Sequence, residues 1–445
     1  MPDLPQAKGE AVTMRGLRRC IAGMDFPNGA AKAKDKRVAQ RIASRINPFK
    51  LSAMRPFIKA STTLIIGVGL LTMLLGCPGR QFNDLHQELE SLVSGLVERD
   101  KSVRNCVLSV MKGDGSLSRS VAAGVACQNG QVPMTKETPI YIASITKLYT
   151  ATVIMRLHEK GALSLDDPMS RYLPSELIQG IHVHKGKDYS SEIRIKELLS
   201  HTSGIADYYT EKPKGGKSLF ELFLEKPGQS WTVDETIARA RNDLKPNFPP
   251  GTDASYSDTN FQLLGKVIET ITGKPLPVVY EEFIFRPLDL GHTWLIGRSE
   301  PRIAPSVAPA DVFYENMNIT NTRSNGAYWA DGGIVSTAEE MIIFLKALNE
   351  GRIVSRDTLK SMHHWRKLKF PLQYGYGTMY LKLPWLMSKV MKASPLWGHT
   401  GSTGSFLYYS EDLNLYMAGS INQAGSKIKP FRLMLRVMKA VQSNR

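Results

Sequence analysis

The sequence predicts an α+β fold. One antiparallel β-sheet is built from the N- and C-terminal segments of the body and flanked by helices, and a mostly helical lobe lies between them. Three observations carry this. Two alternating, strand-like segments open the body, Cys106–Met111 and Ser120–Cys127, turned through Gly113-Asp114-Gly115. Strand-like runs return only late, at Tyr376–Leu383, Ser405–Ser410 and Leu415–Ile421. Between them, apolar residues recur at helical spacing. A wound parallel sheet would need strands and helices in alternation, and this chain lacks that order.

Ahead of the body stands a leader with its own character. The 445-residue chain carries a net charge of +16, and residues 1–76 hold 13 Lys/Arg against 4 Asp/Glu. The other 369 residues hold 44 against 37, so over half of the excess lies in the leader. The body shows no clustered basic–aromatic pattern, and no nucleic-acid partner is expected. From Ala60 to Gly79 there is no charge, Arg55 and Lys59 precede the run, and it closes on Leu74-Leu75-Gly76-Cys77. A basic start, an apolar centre and a terminal cysteine read as a lipoprotein signal, with Cys77 lipidated and anchoring the protein to a membrane. An uncleaved transmembrane anchor is the alternative, since 20 uncharged residues can span a bilayer. Met54 would itself make a start, so residues 1–53 read as a disordered extension or over-called start. Residues 54–76 are then the signal, 77–84 a tether and 85–443 the folded domain. Basic residues before the run keep its N-terminal side inside, which puts the domain outside the cytoplasmic membrane, in the cell envelope.

Each element of the body follows in order. Residues 80–104 are helix-like, with Leu85, Leu89, Leu92 and Leu96 at spacings of three and four. The hairpin follows, and its open ends suggest a Cys106–Cys127 disulfide in an oxidising compartment. Pro133 to Pro139 leads into a helix that is apolar at 148, 151, 154, 155 and 157 and ends at Lys160-Gly161. A second amphipathic helix, about Glu192 to Leu199, ends in Ser200-His201-Thr202-Ser203-Gly204. Residues 209–232, rich in Lys, Gly and Glu, read as a surface excursion. Helices are expected at 233–243, 260–272, 277–286 and 337–349, and a basic amphipathic helix at about Lys429 to Val441 closes the chain. The sheet lobe takes about 85–135 and 370–443, and the helical lobe about 136–369.

Within this frame Ser144-Ile145-Thr146-Lys147 stands out. Ser144 falls in the first turn of its helix, and Lys147 lies three residues on, on the same face. A serine hydroxyl needs a base within reach, and a lysine serves only if its pKa is lowered. The first helical turn also offers free N–H groups where an oxyanion develops. S-x-x-K recurs at Ser109–Lys112, where strand geometry separates the two faces, and at Ser426–Lys429, in a loop.

Two later stretches complete a constellation: Tyr256-Ser257-Asp258 after Pro249-Pro250-Gly251, and Gly398-His399-Thr400-Gly401-Ser402 before a strand. In this order the chain resembles the serine β-lactamase and penicillin-binding family, in its class C β-lactamase and DD-peptidase branch. That family shows S-x-x-K, then Y-x-N, then K-T-G or H-T-G. The resemblance covers about residues 85–440 and includes Leu198–Gly204, Phe285–Gly291 and Asp331-Gly332-Gly333. It implies an acyl-enzyme on Ser144 and a base system of Lys147 and Tyr256. It further implies an oxyanion hole from the backbone N–H groups of Ser144 and Ser402. Asp258, His399, Thr400 and Gly401 would bind a small acyl substrate such as a cell-wall D-alanyl peptide, a β-lactam or an ester. No cofactor and no metal are implied.

Two departures shape the expectation. Asp258 stands where the family has Asn, which adds a negative charge beside Lys147, favours the charged lysine and shifts the base role to Tyr256. His399 stands where β-lactamases of this branch have Lys, which weakens attraction for a β-lactam carboxylate. Peptidase or esterase activity therefore ranks above efficient β-lactamase activity: cell-wall D-alanyl peptides are the leading substrate class, a carboxylesterase is the second reading and an inactive binding or scaffold protein the third. Three blander readings complete the picture. His201 reads as a structural loop histidine. His182-Val183-His184 lacks a third ligand for a metal. Tyr314-Glu315-Asn316 fits Y-x-N without the Pro-Gly approach.

Overall fold

The computed structural model describes residues 84–127, 131–320, 326–369, 372–382, 388–389, 395–426 and 428–444. All of them belong to one compact unit, Pro78–Arg445. The leader, the signal segment, Cys77 and all but the last residue of the tether lie outside the described residues. Among the described residues no helix is long and apolar enough to cross a membrane.

The body opens with helix α1 (Leu85–Arg99), capped by the Asp84 side chain. Strands β1 (Asn105–Lys112) and β2 (Ser118–Cys127) form the expected hairpin, and β3 (Val132–Pro133) continues from β2. After β4 (Ile140–Tyr141) a single 3-10 turn, Ala143–Ile145, leads into α2 (Thr146–Glu159). The helical lobe adds α3 (Ile195–Leu199), α4 (Leu219–Glu225), α5 (Val233–Asp243), α6 (Asp258–Thr272) and α7 (Leu276–Tyr280). Next come β5 (Ile334–Ser336) and α8 (Ala338–Asn349). The late strands are β6 (Arg366–Lys369), β7 (Leu372–Tyr374), β8 (Met379–Leu381), β9 (Leu396–Thr400), β10 (Ser405–Ser410) and β11 (Leu415–Ser420), before α9 (Lys429–Ser443).

One nine-stranded sheet runs β6-β7-β8-β9-β10-β11-β1-β2-β3. The join between the two ends of the body is antiparallel, with Leu108 opposite Gly419 and Val110 opposite Met417. This pairing is the expected α+β arrangement. Helix α2 is buried at every position from Thr146 to Met155. A helix that is apolar on most sides belongs inside a core rather than on a surface, and α2 is the axis on which the helical lobe packs. Two of its threonines are satisfied locally: Thr150 and Thr152 donate back to the carbonyls of Thr146 and Leu148.

Two expectations are corrected here. Cys106 and Cys127 are free thiols. The hairpin register sets Cys106 opposite Ala123. Cys127 lies four residues further along β2, roughly 13 Å at strand rise, and disulfide Cα atoms must approach within about 7 Å. The 209–232 stretch is also more than a surface excursion. Ser218 caps α4 and Glu221 returns the bond to the Ser218 N–H, a reciprocal capping box. That S-x-x-E signal was readable in the sequence, and it seats Phe223 in a small aromatic core with Tyr208.

Candidate active site

The chain turns sharply into α2. Ala143 has φ +47°, a conformation that residues with a Cβ rarely adopt. Such strain persists only where surrounding structure enforces it, and here it sets Ser144 at the mouth of a cavity. One turn on, Lys147 is fully buried, and each of its three N–H groups has an acceptor. Nζ donates to the Asp258 carboxylate, to the Asp331 carbonyl at 2.7 Å and to Ser144 Oγ at 3.2 Å. Three donors in use describe an ammonium group with no lone pair to offer.

The electrostatics agree with that geometry. Burial pushes the Lys147 pKa down, but the carboxylates of Asp258 and Asp331 outweigh it and hold the pKa above the ordinary lysine value. The sequence expectation of a charged lysine beside Asp258 is met. The companion expectation, that Tyr256 becomes the base, is not. Burial and then the Asp258 charge push the Tyr256 pKa well above that of a free phenol. Its hydroxyl is buried and has no hydrogen-bond partner among the described residues. The Ser144 hydroxyl still lies near enough to oppose that rise. Lys147 Nζ sits 5.1 Å from the centre of the Tyr256 ring. The resting pair is therefore an ammonium and a neutral phenol beside one serine.

Three buried acids cluster here, Asp258 and Asp331 beside the lysine and Asp207 beside Asp258, and sequence reasoning named only Asp258 as a site residue. Asp207 accepts from the N–H groups of Asp258 at 3.0 Å and Tyr209 at 3.3 Å, which anchors the start of α6. Burial, with Asp258 nearby, lifts its pKa to about 7. Asp331 accepts from Tyr208 Oη at 2.6 Å and from the Trp329 N–H at 3.0 Å. Burial lifts its pKa to about 6 against the pull of Lys147. Asp331 stood inside the flanking Asp-Gly-Gly phrase, so a signal for it was present; Asp207 and Tyr208 carried none.

The third motif is only partly where the resemblance put it. Ser402 lines the same cavity as Ser144 and Asp258. A Cβ on Gly401 would lie 2.3 Å from the Ile142 carbonyl oxygen and 2.1 Å from Ser405 Oγ, so only glycine lets this turn approach the Ser144 segment. The Thr400 hydroxyl meets Tyr408 Oη at 3.3 Å and Met379 Sδ at 3.3 Å. His399 is corrected: it does not face a substrate. It is fully buried, Nε2 lies 3.0 Å from Tyr374 Oη, and Nδ1 lies 2.8 Å from the Thr400 carbonyl. Burial and the Lys147 charge push its pKa down to about 3, which keeps it neutral.

His201 is structural, as its place after a helix suggested. At φ +57° its ring packs in tilted contacts, with centres 4.3 Å from Tyr256 and 4.5 Å from Tyr374. Nδ1 takes the Ser257 N–H at 3.2 Å. His182 Nε2 lies 2.9 Å from the Phe248 carbonyl, and among the described residues no three His, Cys, Asp or Glu side chains gather as a metal site would need. Tyr314-Glu315-Asn316 lies at a tight turn between two short paired strands, with Glu315 at φ +53°.

Residues 89–437 match the family model described as Beta-lactamase. The chain is similar to a putative D-alanyl-D-alanine carboxypeptidase of Escherichia coli (strain K12), 35% identical over 165 residues that cover 36% of this chain and 35% of that one. It is similar to esterase EstB of Burkholderia gladioli, 26% identical over 200 residues covering 44% and 48%. Among solved structures it is similar to a D-stereospecific amidohydrolase from Streptomyces sp., with a TM-score of 0.64 and 28% identity over 78% of this chain and 97% of that one. The chain spans 63%, 41% and 35% of the lengths of three curated relatives it matches.

Proposed function

The chain belongs to the Beta-lactamase family, whose members here are serine hydrolases, and from that premise we propose that it hydrolyses amide or ester bonds of small acyl donors through an acyl-enzyme on Ser144. The observation that carries this reading is the convergence of Ser144 Oγ and Lys147 Nζ at 3.2 Å, with the neutral Tyr256 phenol beside them. The chemistry assigned to each group follows from its protonation state. Ser144 can lose its proton to Lys147 only once the ammonium has passed a proton to the Asp258 carboxylate it touches. The serine oxygen then attacks the carbonyl, and the N–H groups of Ser144 and Ser402 hold the oxyanion. Tyr256, a phenol held protonated, is suited to hand a proton to the leaving atom. Water resolves the acyl-enzyme.

Esterase or amidase activity leads this reading. With His399 buried and neutral, position 399 offers a terminal carboxylate no charge. D-alanyl peptides form the second reading, favoured by the similarity to a D-alanyl-D-alanine carboxypeptidase. Export and lipid anchoring through Cys77 belong to the same proposal. They rest on the uncharged run from Ala60 to Gly79 and the Leu-Leu-Gly-Cys that closes its apolar core.

Intact-protein mass after incubation with a fluorophosphonate and, separately, with penicillin tests the nucleophile against Ser144→Ala. A fluorophosphonate adduct lost in the variant supports the esterase reading. Adducts with both probes would favour cell-wall peptides, and none with either would overturn the enzyme assignment.

A further inference from the structure

The cavity beside Ser144 has a wall that the reaction so far does not use. It measures about 260 Å³, and Tyr209, Phe220, Phe223 and Tyr328 form its aromatic side. Their ring centres lie 5.6 to 6.0 Å apart in tilted and edge-on contacts. The Tyr209 and Tyr328 hydroxyls satisfy each other at 3.1 Å, so these rings present carbon rather than unmet polar groups. Among the described residues no lysine or arginine lines the cavity. Its two carboxylates are already committed, Asp258 to Lys147 and Asp331 to Tyr208 Oη and the Trp329 N–H.

We propose that this cavity is the acyl pocket and that it selects donors whose acyl group is bulky, uncharged and apolar, an arylalkyl or medium-length alkyl chain. The inference rests on the reading of Ser144 as nucleophile. The side of the bond follows from Tyr256. The group that protonates the leaving atom must face it, and Tyr256 flanks Ser144 without lining the cavity. The other half of the scissile bond therefore fills it. Size follows from comparison: a cavity of roughly 150 Å³ takes benzene, so this one takes a phenyl ring on a short linker. Charge follows from the lining. An anionic acyl tail would be buried opposite two carboxylates, and a cationic one would compete with Lys147.

The experiment uses the purified full chain and p-nitrophenyl esters of acetate, butyrate, octanoate, 3-phenylpropanoate and monosuccinate, with fluorophosphonate labelling of Ser144 in parallel. Burying a methylene is worth roughly a three- to fourfold gain. The ratio of kcat/KM for octanoate over acetate is therefore expected to exceed tenfold, with 3-phenylpropanoate also well above acetate and monosuccinate at least tenfold below butyrate. Leu224 lines the same cavity and is only half-buried, so Leu224→Trp fills the pocket without disturbing the core. It should lower the octanoate-to-acetate ratio at least tenfold while still taking the fluorophosphonate. Labelled protein that turns over acetate as well as octanoate, or a Leu224→Trp ratio equal to that of the native protein, overturns the proposal. Absence of labelling overturns the nucleophile itself, and the pocket assignment with it.

Discussion

Asp258→Asn tests the account of the lysine most directly. In the native protein Lys147 is buried with three acceptors, and the Asp258 carboxylate it touches is the largest of the charges, with Asp331, that hold it protonated. Asn keeps an oxygen for the hydrogen bond and removes the charge. Breaking a buried ion pair by deleting one partner costs about 3–5 kcal/mol. At 1.36 kcal/mol per tenfold, even the lower figure moves the protonation equilibrium of the amine on the order of a hundredfold towards the neutral form. The freed amine is a weaker base, which gives back part of that gain. Acylation of Ser144 at pH 7.5 should then rise roughly tenfold. The sign in stability is separate. In the variant the buried amine has a lower pKa folded than unfolded. The unfolded chain binds more protons between those two values, and stability rises with pH. The variant should therefore be most destabilised near pH 7 and recover towards pH 10. Stopped-flow labelling by a chromogenic ester reads the rate, and urea midpoints at the two pH values read the stability. Unchanged or slower acylation would refute the argument that Asp258 holds the lysine inactive.

Three further outcomes follow. Tyr256→Phe removes a hydroxyl that is buried without a partner, so melting should be unchanged or slightly raised. If the phenol protonates the leaving group, kcat/KM for an amide should fall by about 10²–10⁴, and loss of less than threefold would remove Tyr256 from the mechanism. His399→Lys puts an ammonium between Tyr374 and the Thr400 carbonyl in a fully buried site. Destabilisation by several kcal/mol is expected, measured by urea unfolding, and a tenfold gain in penicillin acylation would show that position 399 does face the substrate. Asp207 has its pKa raised by burial to about 7. The folded state binds the proton over a window in which the unfolded chain has released it, so stability falls as pH rises from about 4 to 7. Asp207→Asn should flatten part of that fall, with an upper bound of about 4 kcal/mol; pH-dependent thermal melts that stay superimposable on those of the native protein would contradict the assignment.

Much was legible in the sequence because its signals are local. The hairpin, the late strands and the apolar spacing of α2 are periodicities within short windows. They announce which segments pair and which are buried, so the α+β class followed. The Ser144–Lys147 pair was legible for the same reason: one helical turn brings i and i+3 together whatever the rest of the chain does. The capping box at Ser218 was equally local and simply went unread.

The tertiary structure decided what depends on groups brought together from far apart in the chain. Asp207, Asp258 and Asp331 come from three separate segments, and only the fold buries them together; that burial raises the pKa values of Asp207 and Asp331. Tyr256 read as a base because sequence offers the neighbouring cation but not the burial that keeps the phenol neutral. His399 read as a substrate ligand because the H-T-G resemblance implied it; which face of an alternating strand a residue takes is set by the fold, and the packing of β9 between β8 and β10 turned it inward onto Tyr374. The cysteines read as partners because proximity at the end of a hairpin is a matter of register, and the register is fixed by which side chains face the core across the whole sheet. Local pattern determines what a segment becomes; desolvation and long-range juxtaposition determine how its side chains behave.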